Sequence, residues 1–414
     1  MLEHYLEKTL AEGLRSGTLG LHLDSFAAGL AEAGYARSTA RTQLRLLADL
    51  GEWLLRRRRT AADLDQHTVE AFVATRRRRG RLRRGDRWTV RRFIEHLQRQ
   101  GIAALHPVRV PDEPPLLKLE RRYETYLRKE RGLNAVTVKG YRPFVHRFLL
   151  ERFGEERLAL RELQPSDVLS FIAKQADSLS PRRAQLMTTA LRSLLRFFVR
   201  EDETQTNLAA CVPTVPCWRQ ATVPKYLRKE EVERLLTSCD RSTPTGRRNY
   251  ALLLLLARLG LRAGEVVALQ LEDIDWRSGE IRVLGKGQLR DRLPLLPELG
   301  EALVAYLRQD RPRTPSRRVF LCAKAPRCGF AGPSTVSTIV RRALTHAGLE
   351  PALKGAHLLR HSLATGLLHA GASMAEIAEV LRHRAPATTE IYAKVDIQSL
   401  RTLAQPWPTI RGAR

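Results

Sequence analysis

Apolar residues recur every three or four positions through most of the chain, which is the spacing of amphipathic helices. The pattern is plain at residues 34–50 and 132–148. It returns in the last third of the chain at residues 298–307, 334–347 and 357–370. These segments predict a chain that is built mainly of α-helices.

The C-terminal third departs from this pattern in two ways. The run Ala-Leu-Leu-Leu-Leu-Leu-Ala at residues 251–257 is apolar on every side, which predicts a helix that is buried all round. Apolar residues then alternate with polar ones at residues 279–284 and 291–296, on either side of Gly285-Lys286-Gly287. Alternation around glycines is typical of a β-hairpin. We therefore expect a mainly α fold with a small β-sheet in an α+β C-terminal domain.

Two proline-rich stretches interrupt the helical pattern. Residues 106–116 and 208–225 cannot continue a helix, because proline lacks the backbone donor and clashes with the preceding turn. We interpret both as linkers. They divide the chain into domains at residues 1–105, 117–207 and 226–414, and a length of 414 residues is enough for two or three domains.

The first two domains resemble each other. Residues 34–50 align with residues 132–148 at an offset of 98. Two further blocks match at offsets of 99 and 101, pairing Leu64, Val69, Phe72 and Val73 with Leu163, Val168, Phe171 and Ile172, and Val90, Phe93, Ile94 and Leu97 with Leu191, Leu194, Leu195 and Phe198. The nearly constant offset favours a duplication. The alternative is that two amphipathic helical bundles align by chance.

The composition indicates a polyanionic partner. The formal net charge is +27 and the isoelectric point is about 10.8, which favours nucleic acid as the partner. A genomic preference for arginine codons explains arginine over lysine, but it does not explain the excess of positive charge. Arginine runs in the first domain become candidate phosphate contacts, which give affinity without sequence choice. These candidates are Arg56, Arg57, Arg76, Arg77, Arg78 and Arg79.

The cysteines and apolar runs make other classes less attractive. The five cysteines form no Cys-x-x-Cys pair and match zinc-ligand spacing poorly, so reduced thiols in a cytoplasmic protein are expected. The first residues, Met-Leu-Glu-His-Tyr, lack the form of a secretory signal. The longest apolar run, residues 251–257, is too short to span a bilayer. We expect no membrane partner and no metal or other cofactor.

Six polar residues of the C-terminal domain are the strongest chemical signal in the chain. They are two arginines, two histidines, a lysine and a tyrosine, namely Arg262, Lys286, His357, Arg360, His383 and Tyr392. Guanidinium groups donate in pairs to the nonbridging oxygens of a phosphate, where negative charge grows during attack. A tyrosine near such cations can act as the nucleophile. This set can break a phosphodiester without a metal ion.

The order and wording of these pieces resemble the tyrosine recombinase (phage integrase) family. The resemblance rests on Gly-Leu-Arg262-Ala-Gly-Glu265, the hairpin Lys286, His357-Leu-Leu-Arg360-His361, Leu-Arg-His383 and Tyr392, and it covers roughly residues 220–400. It implies that residues 117–207 are a four-helix core-binding domain and that several helical domains clamp double-stranded DNA at specific sites. It also implies a 3′-phosphotyrosyl intermediate and a tetramer on synapsed DNA in a bacterial cytoplasm, associated with the nucleoid.

The chemistry suggests a role for each residue. Arg262 and Arg360 stabilise the phosphate, Tyr392 attacks it, and Lys286 protonates the leaving oxygen. His357 receives the tyrosine proton, and His383 donates a hydrogen bond to a nonbridging oxygen. The neighbouring His361 is expected to pack or hydrogen-bond within the domain, and Glu265 to be a structural partner. After Tyr392, residues 395–403 have an apolar helical face that packs on its own domain or, as the resemblance favours, docks on a neighbouring protomer.

One position departs from the family pattern. Arg382 stands where the family usually has a glycine before the histidine, so we expect a side chain that points toward a phosphate. Three other functions stay open at this point: a type IB topoisomerase with similar chemistry, a DNA-binding regulator without catalysis, and an RNA-binding protein. The extra N-terminal domain resembles transposon-borne members, but the sequence leaves integration, excision, transposition and dimer resolution undecided.

Overall fold

The structure is a computed structural model, and it describes residues 1–103, 114–155, 158–216, 223–285, 290–396 and 401. The chain forms two compact units. One unit lies within residues 106–221, and the other combines residues 1–105 with residues 222–414. As predicted, the described residues are mainly helical and include one small sheet.

The first segment is a helical bundle with its own core. Its helices are α1 (Leu2–Tyr5), α2 (Lys8–Arg15), α3 (Gly20–Glu32), α4 (Arg37–Leu55), α5 (Gln66–Arg78) and α6 (Asp86–Arg99). The buried side chains of this core all lie between Leu2 and Ala103. Phe26 and Phe93 meet edge to face near its centre, with ring centroids 5.2 Å apart, an arrangement that aromatic pairs prefer.

The second segment forms the other unit. Its helices are α7 (Pro115–Lys129), α8 (Ala135–Phe153), α9 (Pro165–Ala176) and α10 (Pro181–Arg200). Its core lies between Leu116 and Val212. The linker predicted at 106–116 is described only at its end, where α7 begins. Within the linker predicted at 208–225, Leu208–Ala210 form a 3-10 helix and residues 217–222 lie outside the described residues.

The two segments share the order of their elements. Helices α4 and α8 both have 19 residues and begin 98 positions apart, and short 3-10 helices follow at Ala61–Asp63 and Leu160–Glu162. Helices α5 and α9 then begin 99 positions apart. The apolar residues that the sequence alignment pairs are buried in both segments. These matches support the proposed duplication, which stays a proposal about origin.

The third segment surrounds one buried helix. Its helices are α11 (Lys229–Thr237), α12 (Pro244–Arg258), α13 (Ala263–Ala268), α14 (Pro297–Ala305), α15 (Pro333–His346), α16 (Ala356–His369) and α17 (Met374–Val380). Residues 251–257 of α12 are buried, as their composition predicts, and they form the middle of the core. The helices predicted at 298–307, 334–347 and 357–370 are confirmed as α14, α15 and α16, with α14 continuing as a π-helical turn at Tyr306–Asp310.

A three-stranded antiparallel sheet stands beside this core. Its strands are β1 (Ile274–Asp275), β2 (Glu280–Leu284) and β3 (Arg290–Pro294), in that order. The predicted hairpin is confirmed, with Ile281 paired to Leu293 and Leu284 paired to Arg290. Lys286 comes between these two strands in the sequence, and residues 286–289 lie outside the described residues.

The first and third segments touch each other within their unit. The backbone amide of Arg327 donates a hydrogen bond of 3.0 Å to the carbonyl oxygen of Ala33, just after α3. The side chain of Arg327 passes close over Gly34, where a Cβ atom would lie 2.6 Å from its Cδ. The boundary predicted near residue 105 therefore separates two hydrophobic cores that belong to one compact unit.

Gly260 sets the direction of the chain between α12 and the motif that contains Arg262. Its φ is +58°, and a Cβ atom there would lie 2.9 Å from a methyl group of Leu381 and 3.0 Å from one of Leu363. A side chain at this position would add left-handed strain and a close contact with the core.

We therefore expect Gly260→Ala to lower the free energy of unfolding by about 1–3 kcal/mol, as measured by urea denaturation. Gly264→Ala is the matched control, because a Cβ atom there meets only Pro333 at 3.8 Å. Since alanine favours helix, that control should be neutral or stabilising by up to about 1 kcal/mol. Equal losses of stability in the two variants would contradict the assignment.

Candidate active site

Arg360 is the most buried charged group of the site. It lies on α16 with 4% of its surface exposed, and its two terminal nitrogens donate to the backbone carbonyls of Gly260 and Leu381. Burial lowers the pKa of Arg360 to about 10, and the positive charges of Arg262 and Arg382 contribute to this shift. At neutral pH the guanidinium is still charged. It therefore places a cation where α16 meets the backbone at Gly260 and at Leu381.

Arg262 is held at the N-terminus of α13 by Glu265. The backbone amide of Arg262 donates to one carboxylate oxygen of Glu265, and its guanidinium donates to the other, each at 2.8 Å. The bond from the amide to the carboxylate is the half of a capping box that an acidic residue three positions after the N-cap supplies. Glu265 is 6% exposed, so its charge requires these partners. The sequence interpretation of Glu265 as a structural partner fits this geometry.

His383 follows the end of α17 through a left-handed turn. Arg382 has φ +56°, its amide donates to the carbonyl of Glu379 at 2.9 Å, and the amide of His383 donates to that of Ala378 at 2.8 Å. These two bonds form a Schellman motif, in which glycine usually occupies the left-handed position. The motif explains where the histidine lies and why a glycine would suit the position before it.

The side chain of Arg382 turns inward instead of outward. Only 8% of it is exposed, and one terminal nitrogen donates to the carboxylate of Glu265 at 2.9 Å. The expectation that Arg382 points toward a bound phosphate therefore needs correction, because the described side chain is buried against Glu265. The pair places two opposite charges together in the interior, where either charge alone would be uncompensated.

Tyr392 lies in the 3-10 helix Glu390–Val395 and is 1% exposed. Its hydroxyl is hydrogen-bonded to Nδ1 of His361 at 2.9 Å. The ring of His383 stacks parallel to its ring, with centroids 6.5 Å apart. Burial raises the pKa of Tyr392 to about 12, although the charge of Arg360 acts in the opposite direction. The phenol is therefore protonated at neutral pH.

The three histidines have different surroundings. His383 is hydrogen-bonded through Nδ1 to the hydroxyl of Thr389 at 2.9 Å, and burial beside Arg360 and Arg262 lowers its pKa to about 4. Burial also lowers the pKa of His361. His357 is exposed, one helical turn before His361, with ring centroids 6.5 Å apart. Sequence reasoning foresaw a hydrogen bond within the domain for His361, but it did not foresee Tyr392 as the partner.

Of the six residues that the sequence singles out, the structure brings five into one region. His357, His383 and Tyr392 are linked by ring contacts, in the case of His357 through His361. Arg360 bonds the backbone two residues before Arg262 and two residues before His383. Lys286 lies outside the described residues. The sequence did carry one signal for the role of His361, since its spacing of one turn from His357 places both on the same face of α16.

The candidate DNA-binding arginines of the first segment fall into two groups. Arg56, Arg57, Arg77, Arg78 and Arg79 are exposed, with Arg56 paired to Glu52 and Arg57 lying over the ring of Trp53. Arg76 is different, because only 14% of its side chain is exposed. Its guanidinium donates to Asp49, to Asp86 and to the carbonyl of Arg81. The donors of Arg76 are thus occupied within the bundle.

No metal site or membrane span is evident in the parts of the chain that the structure describes. Within them, no group of three His, Cys, Asp or Glu side chains is placed to hold a metal ion. None of the described helices combines the length and hydropathy needed to cross a membrane. The described cysteines are free thiols, and Cys217 lies outside the described residues.

Comparisons with known proteins give the family of the chain. A family model described as "Phage integrase family" matches residues 225–399, and one described as "Phage integrase, N-terminal SAM-like domain" matches residues 121–202. The putative integrase/recombinase y4rA of Sinorhizobium fredii is 42% identical over 393 residues, which cover 95% of each chain. The tyrosine recombinase XerD of Listeria monocytogenes is 33% identical, over 65% of this chain and 91% of its own.

A solved structure shows a similar fold. It is a lambda integrase tetramer bound to a Holliday junction, and it matches with a TM-score of 0.50 at 18% identity, over 74% of this chain and 89% of its own. The likeness to this structure is one of fold alone. The sequence identity with nearly the whole length of two curated relatives shows more. The chain belongs to the phage integrase family of tyrosine recombinases, enzymes that cleave and rejoin DNA.

Proposed function

We propose that this chain recombines double-stranded DNA at specific sites through a covalent intermediate on Tyr392. The observation that carries the proposal is that Arg360 lies beside both Arg262 and Tyr392. Arg360 donates to the carbonyl of Gly260, two residues before Arg262. It also donates to the carbonyl of Leu381, whose side chain belongs to the same buried cluster as Tyr392. Two guanidiniums beside a tyrosine supply the cations and the nucleophile that phosphoryl transfer needs.

In the proposed reaction the oxygen of Tyr392 attacks the phosphorus, and the bond from phosphorus to the 5′-oxygen breaks. The products are a 3′-phosphotyrosyl link and a free 5′-hydroxyl. For rejoining, a 5′-hydroxyl of the partner duplex attacks the link, and Tyr392 leaves. Each step exchanges one phosphodiester for another, so no ATP is consumed. Arg262 and Arg360 hold the nonbridging oxygens, and removing one guanidinium should cost about 3–4 kcal/mol of transition-state stabilisation.

Tyr392 has to change position before it attacks. A side chain that is 1% exposed cannot meet a phosphate on DNA, and its hydroxyl is bonded to His361. We therefore interpret the described arrangement as a resting site. The short 3-10 helix Glu390–Val395 carries the tyrosine, and a shift of this segment would release the hydroxyl from His361.

Two proton transfers accompany the attack. The phenol loses its proton as its bond to phosphorus forms, because its raised pKa makes the free phenolate rare at neutral pH. We assign His357 as the acceptor, since it is exposed at the start of α16 where DNA can reach it. Lys286 remains our candidate for the acid that protonates the leaving 5′-oxygen. His383, whose lowered pKa keeps it neutral, would donate a hydrogen bond to the phosphate.

The DNA partner follows from the charge and from the family. An excess of 27 positive charges suits a long phosphate backbone. We propose that both units contact the same duplex and that the exposed arginines of the first segment lengthen the footprint. The action on DNA would place the protein at the bacterial nucleoid. The biological purpose, whether integration, excision, transposition or resolution, depends on the DNA sites.

A tetramer is the assembly that we propose for strand exchange. The lambda integrase structure with a similar fold is a tetramer on a Holliday junction. An open groove of about 670 Å³ lies between α11, α12 and α16, with Leu227, Leu363 and Leu367 in its lining. The sequence of residues 395–403 predicts an apolar helical face, which would suit such a groove. We propose that this tail docks in trans on the groove of a neighbouring protomer.

The nucleophile can be tested by covalent trapping. Nicked duplexes that carry the repeats flanking the gene should form a denaturant-resistant adduct with the wild type and none with Tyr392→Phe, because phenylalanine has no oxygen to attack. Both proteins should bind the DNA with affinities within about twofold of each other. An adduct with Tyr392→Phe would show that another residue is the nucleophile.

The two histidines of α16 form a matched pair. His357→Ala should slow single-turnover cleavage by about a hundredfold or more if His357 takes the tyrosine proton. His361→Ala should cost less than about tenfold, because it removes a bond of the resting state only. A larger loss of cleavage rate for His361→Ala would identify His361 as the base.

The arginines of the first segment also divide into a test and a control. Replacing Arg77, Arg78 and Arg79 by alanine should reduce the slope of log affinity against log salt concentration by about one for each phosphate that the variant no longer neutralises. Arg76→Ala should instead lower the free energy of unfolding by about 2–3 kcal/mol, because it leaves the buried carboxylate of Asp86 with fewer partners. An unchanged salt slope in the triple variant would exclude these arginines from the DNA interface.

A further inference from the structure

Arg382 occupies a position where its backbone is under strain. Its φ of +56° is left-handed, and it ends α17 in the Schellman motif that delivers His383 to the site. A glycine adopts this conformation freely, whereas a residue with a Cβ atom does not. A glycine here would therefore form the same turn with less strain, so the turn itself does not explain the arginine.

The contacts of the Arg382 side chain do not explain the arginine as a stabilising residue either. It is 8% exposed, and its Nε and Nη1 atoms have no hydrogen-bond acceptor among the described residues. Buried donors without acceptors are unfavourable, and they are few in folded proteins. Burial also lowers the pKa of Arg382, which is a further sign that the charge is poorly solvated. A locally unfavourable residue of this kind points to a role in function.

What Arg382 does contact is the carboxylate that holds Arg262. Glu265 accepts three hydrogen bonds, from the amide of Arg262 at 2.8 Å, from its guanidinium at 2.8 Å and from Arg382 at 2.9 Å. The guanidinium of Arg262 is one-third exposed and that of Arg382 is buried. Glu265 thus stands between an arginine that can reach DNA and one that cannot.

The guanidinium of Arg382 also changes the net charge around Arg262. A carboxylate that is paired with a single arginine neutralises it and competes with a phosphate for its donors. Two arginines around one carboxylate leave a net positive charge. With Arg382 present, Glu265 can fix the orientation of Arg262 without cancelling the charge that a phosphate needs.

We propose that Arg382 is a positioning residue that acts through Glu265 on Arg262. The proposal rests on the proposed function, since it concerns how Arg262 binds the scissile phosphate. It accounts for the strained turn, for the inward side chain and for the shared carboxylate together. It also gives the departure from glycine at this position a mechanism that does not require Arg382 to touch DNA.

The test compares Arg382→Gly with the wild type in trapping of the phosphotyrosyl adduct at saturating DNA. Glycine keeps the left-handed turn and removes two buried donors that lack acceptors, which offsets the loss of one of the three partners of Glu265, so the thermal midpoint should change little. The cleavage rate should fall by about tenfold or more, while the affinity for DNA changes by less than about twofold. Arg384→Gly is the control, because Arg384 is an exposed arginine two residues away, and it should retain the wild-type rate within about twofold.

Two further comparisons separate positioning from direct contact. If Arg382 acts through Glu265, the double variant with Glu265→Gln should cleave no more slowly than Glu265→Gln alone. The defect of Arg382→Gly should also shrink on a duplex with a neutral methylphosphonate at the scissile position, because that group depends less on the charge of Arg262. Multiplicative losses of rate in the double variant, or a wild-type rate for Arg382→Gly, would overturn the proposal.

These outcomes are distinct from a failure of the proposed function. If the wild type forms no adduct through Tyr392, the proposed function fails before Arg382 is examined. If the wild type forms the adduct and Arg382→Gly forms it equally fast, the function stands. In that case the positioning role alone is wrong.

Discussion

A charged guanidinium inside a protein must find acceptors, because an unpaired charged donor in the interior is costly. Arg360 meets this requirement with the carbonyls of Gly260 and Leu381, which lie 100 and 21 positions away in the sequence. Arg262 follows the first carbonyl by two residues, and His383 follows the second by two. The needs of one side chain therefore fix the approach of three stretches of chain, and everything else in the site is arranged around that junction.

Throughout this junction, desolvation shifts each pKa in the direction that favours the neutral form. It lowers the pKa of Arg360 to about 10 and that of His383 to about 4, and it raises the pKa of Tyr392 to about 12. At neutral pH the result is a cationic arginine beside a neutral imidazole and a neutral phenol. The site thus keeps the charge that attracts a phosphate, while its nucleophile remains in the unreactive form.

The sequence predicted those features that depend on local spacing. The period of apolar residues located α14, α15 and α16 to within about two residues at their ends, and alternation around Gly285 located the hairpin. The motif residues were found by order and spacing, and the structure joins five of the six. The family comparison then separated a recombinase from a regulator or an RNA-binding protein, which charge alone could not do.

The features that the sequence did not predict depend on tertiary contacts without a local pattern. The bond from the amide of Arg327 to the carbonyl of Ala33 uses only backbone atoms, so no side-chain motif announces it. The partnership of His361 with Tyr392 and the inward turn of Arg382 each follow from which groups share a buried space. The sequence around Arg382 does not indicate that its partner is the carboxylate of Glu265, which lies 117 positions away.

The three large hydrophobic cores have a consequence for how this protein is made. Every buried residue of the first core lies before position 104, so that bundle can fold while the rest of the chain is still being synthesised. Its backbone contact with Arg327, in contrast, must wait for more than half of the remaining chain to emerge. All the residues of this arginine-rich core are therefore available for folding well before any residue of the active site has been synthesised.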